Sequence, residues 1–375
     1  MSTPQAMTRD VMFKASKIST VAAELRPRRL TLADFPDETP IKWTWSCREL
    51  TPHRRYTVLA QTAEAPRAGD VALVEIDKLG YHSKITTSDQ GRLRLYPCDV
   101  LVTVFGNRYA TDAYEGRITG ADELHMLTGA GMIGTVTCRH RKMKAPTQLS
   151  LLGYLGDEQG ARLNLKQLQF RPRQLECEGP PVILMIGTGM NSGKTTTGTK
   201  LIKSLLAQGL RVAACKLTGS VSHNDLLELR STGAHDVRDF SDYGFPSTYL
   251  CDTDELVPLF ETMLADAGRA NPDLIVMEIA DGLLQRETQL LLRHPTIRRS
   301  VRGVLHTAGC AASALYGISQ LEQCGHQVIG VSGLVTSAPL FVRELAQQTR
   351  VPVCSSTDAG AGLAQQVMQH CRMVR

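Results

Sequence analysis

Apolar and polar positions follow two different schedules along this chain, and the change comes near residue 180. Between about 41 and 175 the apolar residues fall in short runs at 56–60, 71–76, 100–105 and 133–137, with Gly69-Asp70, Gly91 and Asn107 as turn signals. Short strands at this spacing predict a small β-barrel or sandwich. Beyond residue 182 strands and helices alternate. Strands are expected at 182–186, 211–216, 274–278, 301–306 and 328–331, with helices around 254–266, 309–324 and 339–348. Leu201, Ile202, Leu205 and Leu206 form a helical stripe closed by Gly209, and Val351-Pro352-Val353 reads as a last short strand. The alternation implies βαβ units and a mainly parallel sheet. The expected fold class is therefore α/β, a mainly parallel C-terminal domain (182–375) preceded by a smaller β-rich domain (41–175). Residues 1–40, with the basic patch Arg26, Arg28 and Arg29, read as an N-terminal arm, and the proline-bearing stretch 171–181 as a linker.

The densest chemistry lies where the texture changes. Val182 to Ile186 is the continuous apolar run that a parallel strand needs when both faces are covered. It leads into Gly187-Thr188-Gly189-Met190-Asn191-Ser192-Gly193-Lys194-Thr195-Thr196. The glycines let several backbone N–H groups converge on one anion, Lys194 can reach the outer phosphates, and Thr195 can offer its hydroxyl to Mg²⁺. The sequence alone thus points to a phosphate-binding loop made by Gly187, Thr188, Gly189, Asn191, Ser192, Gly193, Lys194, Thr195 and Thr196. The bland alternative is a strand–turn–helix whose glycines serve packing.

Ligands of open α/β sheets gather outside the carboxyl ends of the strands, and further candidates fall there. Lys216 ends one strand. Glu278 ends the apolar run 274–277, where a carboxylate is costly unless paired or metal-bound. Asp281 follows as a candidate for orienting water or substrate, whereas Arg286 and Glu287 read equally as a solvated helix face. Asp225 suits Mg²⁺ held through water, or equally a helix N-cap. In the first half Gly106-Asn107-Arg108-Tyr109-Ala110 is the most site-like string. Arg108 there suits a carboxylate or phosphate, against the plainer reading of a hairpin turn. The basic run 139–144 lacks interleaved aromatics and reads as a solvated loop. His125, His140, His223 and His306 lack metal-ligand spacing.

This loop, G-T-x-x-x-x-G-K-T, resembles that of the P-loop group containing dethiobiotin synthetase and cobyric acid synthase, and the resemblance runs over about 182–355. Lys216 with its glycine-bearing turn is similar to the substrate- and phosphate-reaching lysine of dethiobiotin synthetases, although Leu217 replaces their proline. Glu278 resembles their acidic strand end, although Ile279 replaces the glycine. Asn224-Asp225 and the arginine-bearing segment to Gly233-Ala234 resemble the MobB accessory GTPases. The resemblance supports Lys216 as a catalytic candidate and Asp225 and Glu278 as Mg²⁺ ligands, beside Lys194 and Asp281 as catalytic candidates and Thr195 as an Mg²⁺ ligand read from the residues themselves. It implies ATP as the nucleotide, with GTP also possible, since Asp358 could accept from a guanine edge or simply form a turn. The implied activity is an ATP-dependent ligase acting on a small carboxylate or carbamate and an amine. The alternatives are a nucleotide-binding accessory protein for cofactor assembly and an acyl-CoA-dependent acyltransferase.

Composition narrows this further. The chain has 375 residues, 42% hydrophobic and 21% charged, with a net charge of +5, which suits anionic substrates without arguing for nucleic acid. Ten scattered cysteines without a C-x-x-C pair fit a reducing cytoplasm. No apolar stretch has the length of a membrane span and no secretory leader is evident. A homo-oligomer is expected, with neither a membrane nor a nucleic-acid partner.

Overall fold

The computed structural model describes residues 30–34, 40–50, 52, 55–60, 64–174, 179–355 and 360–373. Arg26, Arg28, Arg29 and Asp358 lie outside the described residues, as do most of the arm and part of the linker. The chain divides into two compact units. The first comprises the residues up to Phe170 with Ser220–His223 and Gly244–Ser247, and the second comprises Arg171–Gly219, Asn224–Tyr243 and Thr248–Arg375.

The first unit is built on β1 (Leu30–Thr31), β2 (Ile41–Trp43), β3 (Thr57–Leu59), β4 (Val71–Lys78), β5 (Lys84–Thr86), β6 (Arg92–Arg94), β7 (Val100–Phe105), β8 (Tyr114–Arg117), β9 (Leu124–Met126), β10 (Met132–Arg139) and β11 (Gln148–Gly156). β11 pairs with β4, β4 with β7 and β7 with β10, and β9 pairs with both β10 and β11, so the sheet closes on itself. Closure removes the exposed edges of these strands. The interior is filled by Val74, Ile76, Leu101, Phe105, Met126, Ile133, Leu149 and Tyr154 among others. Every residue of β7 is buried, which explains its unbroken apolar run. Ser220–His223 and Gly244–Ser247 join this unit through specific contacts. Val221 donates to the Pro246 carbonyl at 2.9 Å, and His223 meets the Trp45 ring edge-on.

The second unit is a six-stranded parallel sheet formed by β12 (Val182–Gly187), β13 (Val212–Lys216), β14 (Asp236–Asp239), β15 (Leu274–Gly282), β16 (Val301–Thr307) and β17 (Val328–Ser332), in the order β14-β13-β15-β12-β16-β17. From β12 the chain moves toward β13, and from β16 it moves the opposite way toward β17. The order therefore reverses between the neighbours β12 and β16, where such sheets open a binding crevice at their carboxyl ends. The helix Lys194–Ala207 buries Leu201, Ile202 and Leu205 against one face of the sheet, and Gly209 at φ +80° ends it as the stripe predicts. The C-terminal helix Ala361–His370 adds Leu363, Ala364 and Val367 to the same core.

Several boundaries differ from expectation. β15 runs on to Gly282, so Glu278 lies inside the strand and Asp281 near its end. Val351-Pro352-Val353 forms only a single parallel bridge, Val331 to Val353, since Pro352 has no N–H to extend a ladder. β14 and the helices Pro295–Ser300 and Ala361–His370 were not foreseen, whereas the helix face read at Arg286 and Glu287 belongs to the helix Arg286–Arg293. β14 reads Asp-Val-Arg-Asp, an edge strand with one apolar residue and hence no periodic signal.

Candidate nucleotide site

The phosphate-loop residues form a braced loop between β12 and the helix Lys194–Ala207. Gly193 sits at φ +93°, a conformation L side chains rarely adopt, and turns the chain into the helix. The Ser192 hydroxyl meets Thr307 Oγ1 at 2.8 Å and donates to the Gly189 carbonyl at 3.0 Å. Thr188 N–H donates to the Thr307 carbonyl at 2.9 Å, tying the loop to β16. Lys194 donates to the carbonyls of Gly189 (2.7 Å) and Met190 (3.2 Å), so its ammonium lies against the loop. Asn191 and Thr196 are exposed and Thr195 half-buried on the open side.

Two neighbouring turns press on this loop, and each does so through a glycine. A Cβ on Gly282 would stand 2.6 Å from the Thr188 carbonyl oxygen. One on Gly333, at φ +92°, would overlap the Ser192 carbonyl oxygen, which accepts from Leu334 N–H at 3.1 Å. The sequence showed these glycines, but only the fold reveals that both abut the loop.

Behind the loop lies a buried charge network. Lys216 forms an ion pair with Asp225 and stands opposite Glu278 on β15 and Asp239 on β14. Burial by itself would push its ammonium down, but Asp225, Glu278 and Asp239 reverse this and hold it well above the ordinary lysine range. Lys194 behaves oppositely. Burial lowers it to about 8, against the pull of Glu278 and Asp281 and with help from the like charge of Lys216. Burial also raises Asp281 to about 6, although both lysines oppose it. These shifts arise where the strand ends converge, the usual company of a functional site.

The structure thus brings Lys194, Lys216, Glu278 and Asp281 into one electrostatic cluster and attaches Asp225 to Lys216. It also adds Asp239, which the sequence reading missed. Asp239 is buried, accepts from Ser241 N–H at 2.8 Å and from its hydroxyl at 2.5 Å, and titrates near 6 because burial and Asp242 outweigh Lys216. The expected solvated face at Arg286 and Glu287 is corrected in part. Glu287 is buried and accepts from Leu250 N–H at 2.9 Å, while Arg286 remains exposed and pairs with it. His306 is fully buried on β16 and lowered to about 4 by that burial.

These features define the second unit as a P-loop nucleotide-binding fold. Comparison with protein-family models and with curated proteins gives no match. Among solved structures, the signal recognition particle receptor FtsY from Elizabethkingia anophelis is similar at 18% identity and TM-score 0.35, covering 54% of this chain and 70% of that one. A DUF1611 family protein from Anabaena variabilis is similar at 16% identity and TM-score 0.39, covering 53% and 61%. The kinase domain of the Escherichia coli tyrosine kinase ETK is similar at 20% identity and TM-score 0.32, covering 44% and 71%. The P-loop assignment rests on this chain's own loop, strand order and lysines. Among the described residues, no helix is long and apolar enough to cross a membrane.

Proposed function

We propose that the second unit binds ATP and transfers its terminal phosphoryl group to a small carboxylate or carbamate, giving ADP and an acyl phosphate whose carbonyl carbon an amine then attacks with release of phosphate. The observation that carries this reading is the second lysine. Lys194 suffices to hold a triphosphate, but Lys216 is a buried cation set among three carboxylates, two on the neighbouring strands and one on the following helix. A fixed charge of this kind stabilises a phosphoryl group in motion, because its partners are organised before the reaction begins. A nucleotide switch has no comparable need for it.

Mg²⁺ fits the donor set, since it keeps several waters and takes few protein ligands. Thr195 would offer its hydroxyl, and Glu278 and Asp281, whose charges act on Lys194, would offer oxygens directly or through water. Mg²⁺ would supply charge neutralisation at the phosphates. Asp225 would serve through water only by loosening its pair with Lys216. ATP is preferred over GTP on the resemblance alone.

A second reading, acyl transfer from coenzyme A, is favoured by one observation. Leu284 is 72% exposed and Leu334 52% exposed, and both lie on the turns that press on the phosphate loop. Apolar side chains there suit a pantetheine arm better than a bare triphosphate.

Hydroxylamine trapping separates the readings. The purified chain is incubated with ATP, Mg²⁺, hydroxylamine and a panel of small carboxylates. Carboxylate-dependent ADP release with hydroxamate formation supports the ligase reading. Thiol release from an acyl-CoA without ATP selects acyl transfer, and nucleotide hydrolysis with no carboxylate dependence favours an accessory protein.

A further inference from the structure

The first unit contains a charged group that has no ion-pair partner among the described residues. Arg108 follows β7 and pairs antiparallel with Gly116 of β8 through reciprocal backbone hydrogen bonds, at 2.8 and 3.0 Å, which fix its backbone. One guanidinium nitrogen, Nη1, donates to the Leu127 carbonyl. Gly116 makes this possible, because a Cβ there would stand 2.5 Å from a Leu127 methyl group. Burial lowers the pKa of the guanidinium, opposed by Asp112 acting at longer range and by Tyr81 and Tyr114. No described carboxylate is in ion-pair contact with it, and no described residue engages its Nε or Nη2. The side chain is half-buried, with its remaining donors open to an incoming anion, and a partly desolvated cation gains more from such an anion than a fully hydrated one does.

Its surroundings are equally specific. His82 Nε2 shares the Leu127 carbonyl at 3.0 Å. A carbonyl only accepts, so Nε2 carries the proton and Nδ1 is left as an acceptor. Burial lowers His82 to about 4, with a further push from Arg108, so the ring is neutral at pH 7. The Tyr81 and Tyr114 rings stand edge-on at 6.1 Å, and the Tyr114 hydroxyl is fixed by donating to the Lys144 carbonyl at 2.6 Å.

We propose that Arg108 and His82 form a binding site in the first unit for a small molecule that carries a compact oxyanion, carboxylate or phosphate. The oxyanion takes the remaining guanidinium donors, and His82 Nδ1 accepts from a neighbouring hydroxyl or amine of the ligand. The two tyrosine rings wall the site and fix its orientation. The site is independent of the nucleotide chemistry of the second unit.

The test uses the full chain carrying Lys194→Ala, so that the phosphate loop contributes little. It is titrated with sodium phosphate and, separately, with sodium succinate at constant ionic strength, following thermal midpoint and tyrosine fluorescence. A saturable response to one probe is expected, and Arg108→Gln should weaken it roughly tenfold to a hundredfold, the range for a lost charge-assisted contact. A response to succinate alone assigns a carboxylate, and to phosphate alone a phosphate. No saturable response to either, or an unchanged one in Arg108→Gln, overturns the site. Should Arg108→Gln fail to fold, the Lys194→Ala chain is labelled with phenylglyoxal and mapped by peptide mass. Protection of Arg108 by either probe supports the site, and unchanged labelling at saturating probe overturns it.

Discussion

Lys216 and Glu278 are cross-strand neighbours, the last residue of β13 directly opposite an inner residue of β15 in a parallel pair. Leu217 N–H also donates to the Glu278 carbonyl at 2.9 Å, which locks the register at this point. The lysine is thus fixed in position before any ligand arrives. Its partners come from three separate elements, β14, β15 and the helix His223–Arg230.

Lys216→Met keeps most of the apolar stem and deletes the charge. Nucleotide affinity should change little, while single-turnover phosphoryl transfer falls by roughly 10² or more, the size of one lost preorganised donor. Stability should drop by about 3–5 kcal/mol because buried carboxylates lose their counterion. Equal loss of binding and turnover, or loss of neither, would count against the phosphoryl-transfer reading.

Lys194 titrates near 8, so at pH 9 much of it is neutral in the free protein. A bound triphosphate favours the ammonium, and binding at pH 9 should therefore take up a proton, whereas at pH 6 it should not. Calorimetry in buffers of different ionisation enthalpy reads this directly. Lys194→Ala should abolish the uptake and weaken binding by about 1.5–3 kcal/mol. Uptake that survives in Lys194→Ala would assign it elsewhere.

Gly333→Ala should damage the phosphate loop without touching a charged group. The positive φ strains any L residue, and the methyl group collides with the Ser192 carbonyl. Nucleotide affinity should fall at least about tenfold, and Gly282→Ala should act in the same direction. A conservative control is Gly179→Ala, where a Cβ meets nothing within 4 Å. Wild-type affinity in Gly333→Ala would mean that the loop does not need this close approach.

Asp239→Asn tests the buried network through pH. The folded carboxyl titrates near 6, and the unfolded one near about 3.9. Between these values the folded chain holds the extra proton, so this group's contribution to stability falls as pH rises from 4 to 6. Asparagine has no such titration. Relative to wild type, Asp239→Asn should gain stability across that window, by at most about 3 kcal/mol. Urea unfolding at pH 4.5 and 7.5 measures the change, and a difference that does not move with pH would rule the titration out.

Glu278→Gln should lower turnover far more than nucleotide affinity and flatten the Mg²⁺ dependence, because the amide keeps the shape and loses the charge. Normal turnover with an unchanged Mg²⁺ titration would make Glu278 a structural partner of Lys216.

By itself the sequence determined the local features. Apolar runs of four to six residues marked β7, β12 and β15, the 3.6-residue stripe marked the helix after the loop, and the glycines with Lys194 marked the phosphate site. Each is a contact between near neighbours in the chain, and so leaves a pattern in a short window. The tertiary structure decided what depends on distant pairing. Asp239 lies in a strand with almost no apolar signal and becomes a partner of Lys216 only because β14 pairs with β13. Gly282 and Gly333 acquire their meaning from turns that meet the loop across 95 and 141 residues of chain, counted from Gly187 to Gly282 and from Ser192 to Gly333. The closure of the first sheet through β9 and the shared Leu127 carbonyl of His82 and Arg108 likewise depend on strand registers that no local window encodes. Residue chemistry fixed which groups could act, and packing between remote strands chose which of them meet.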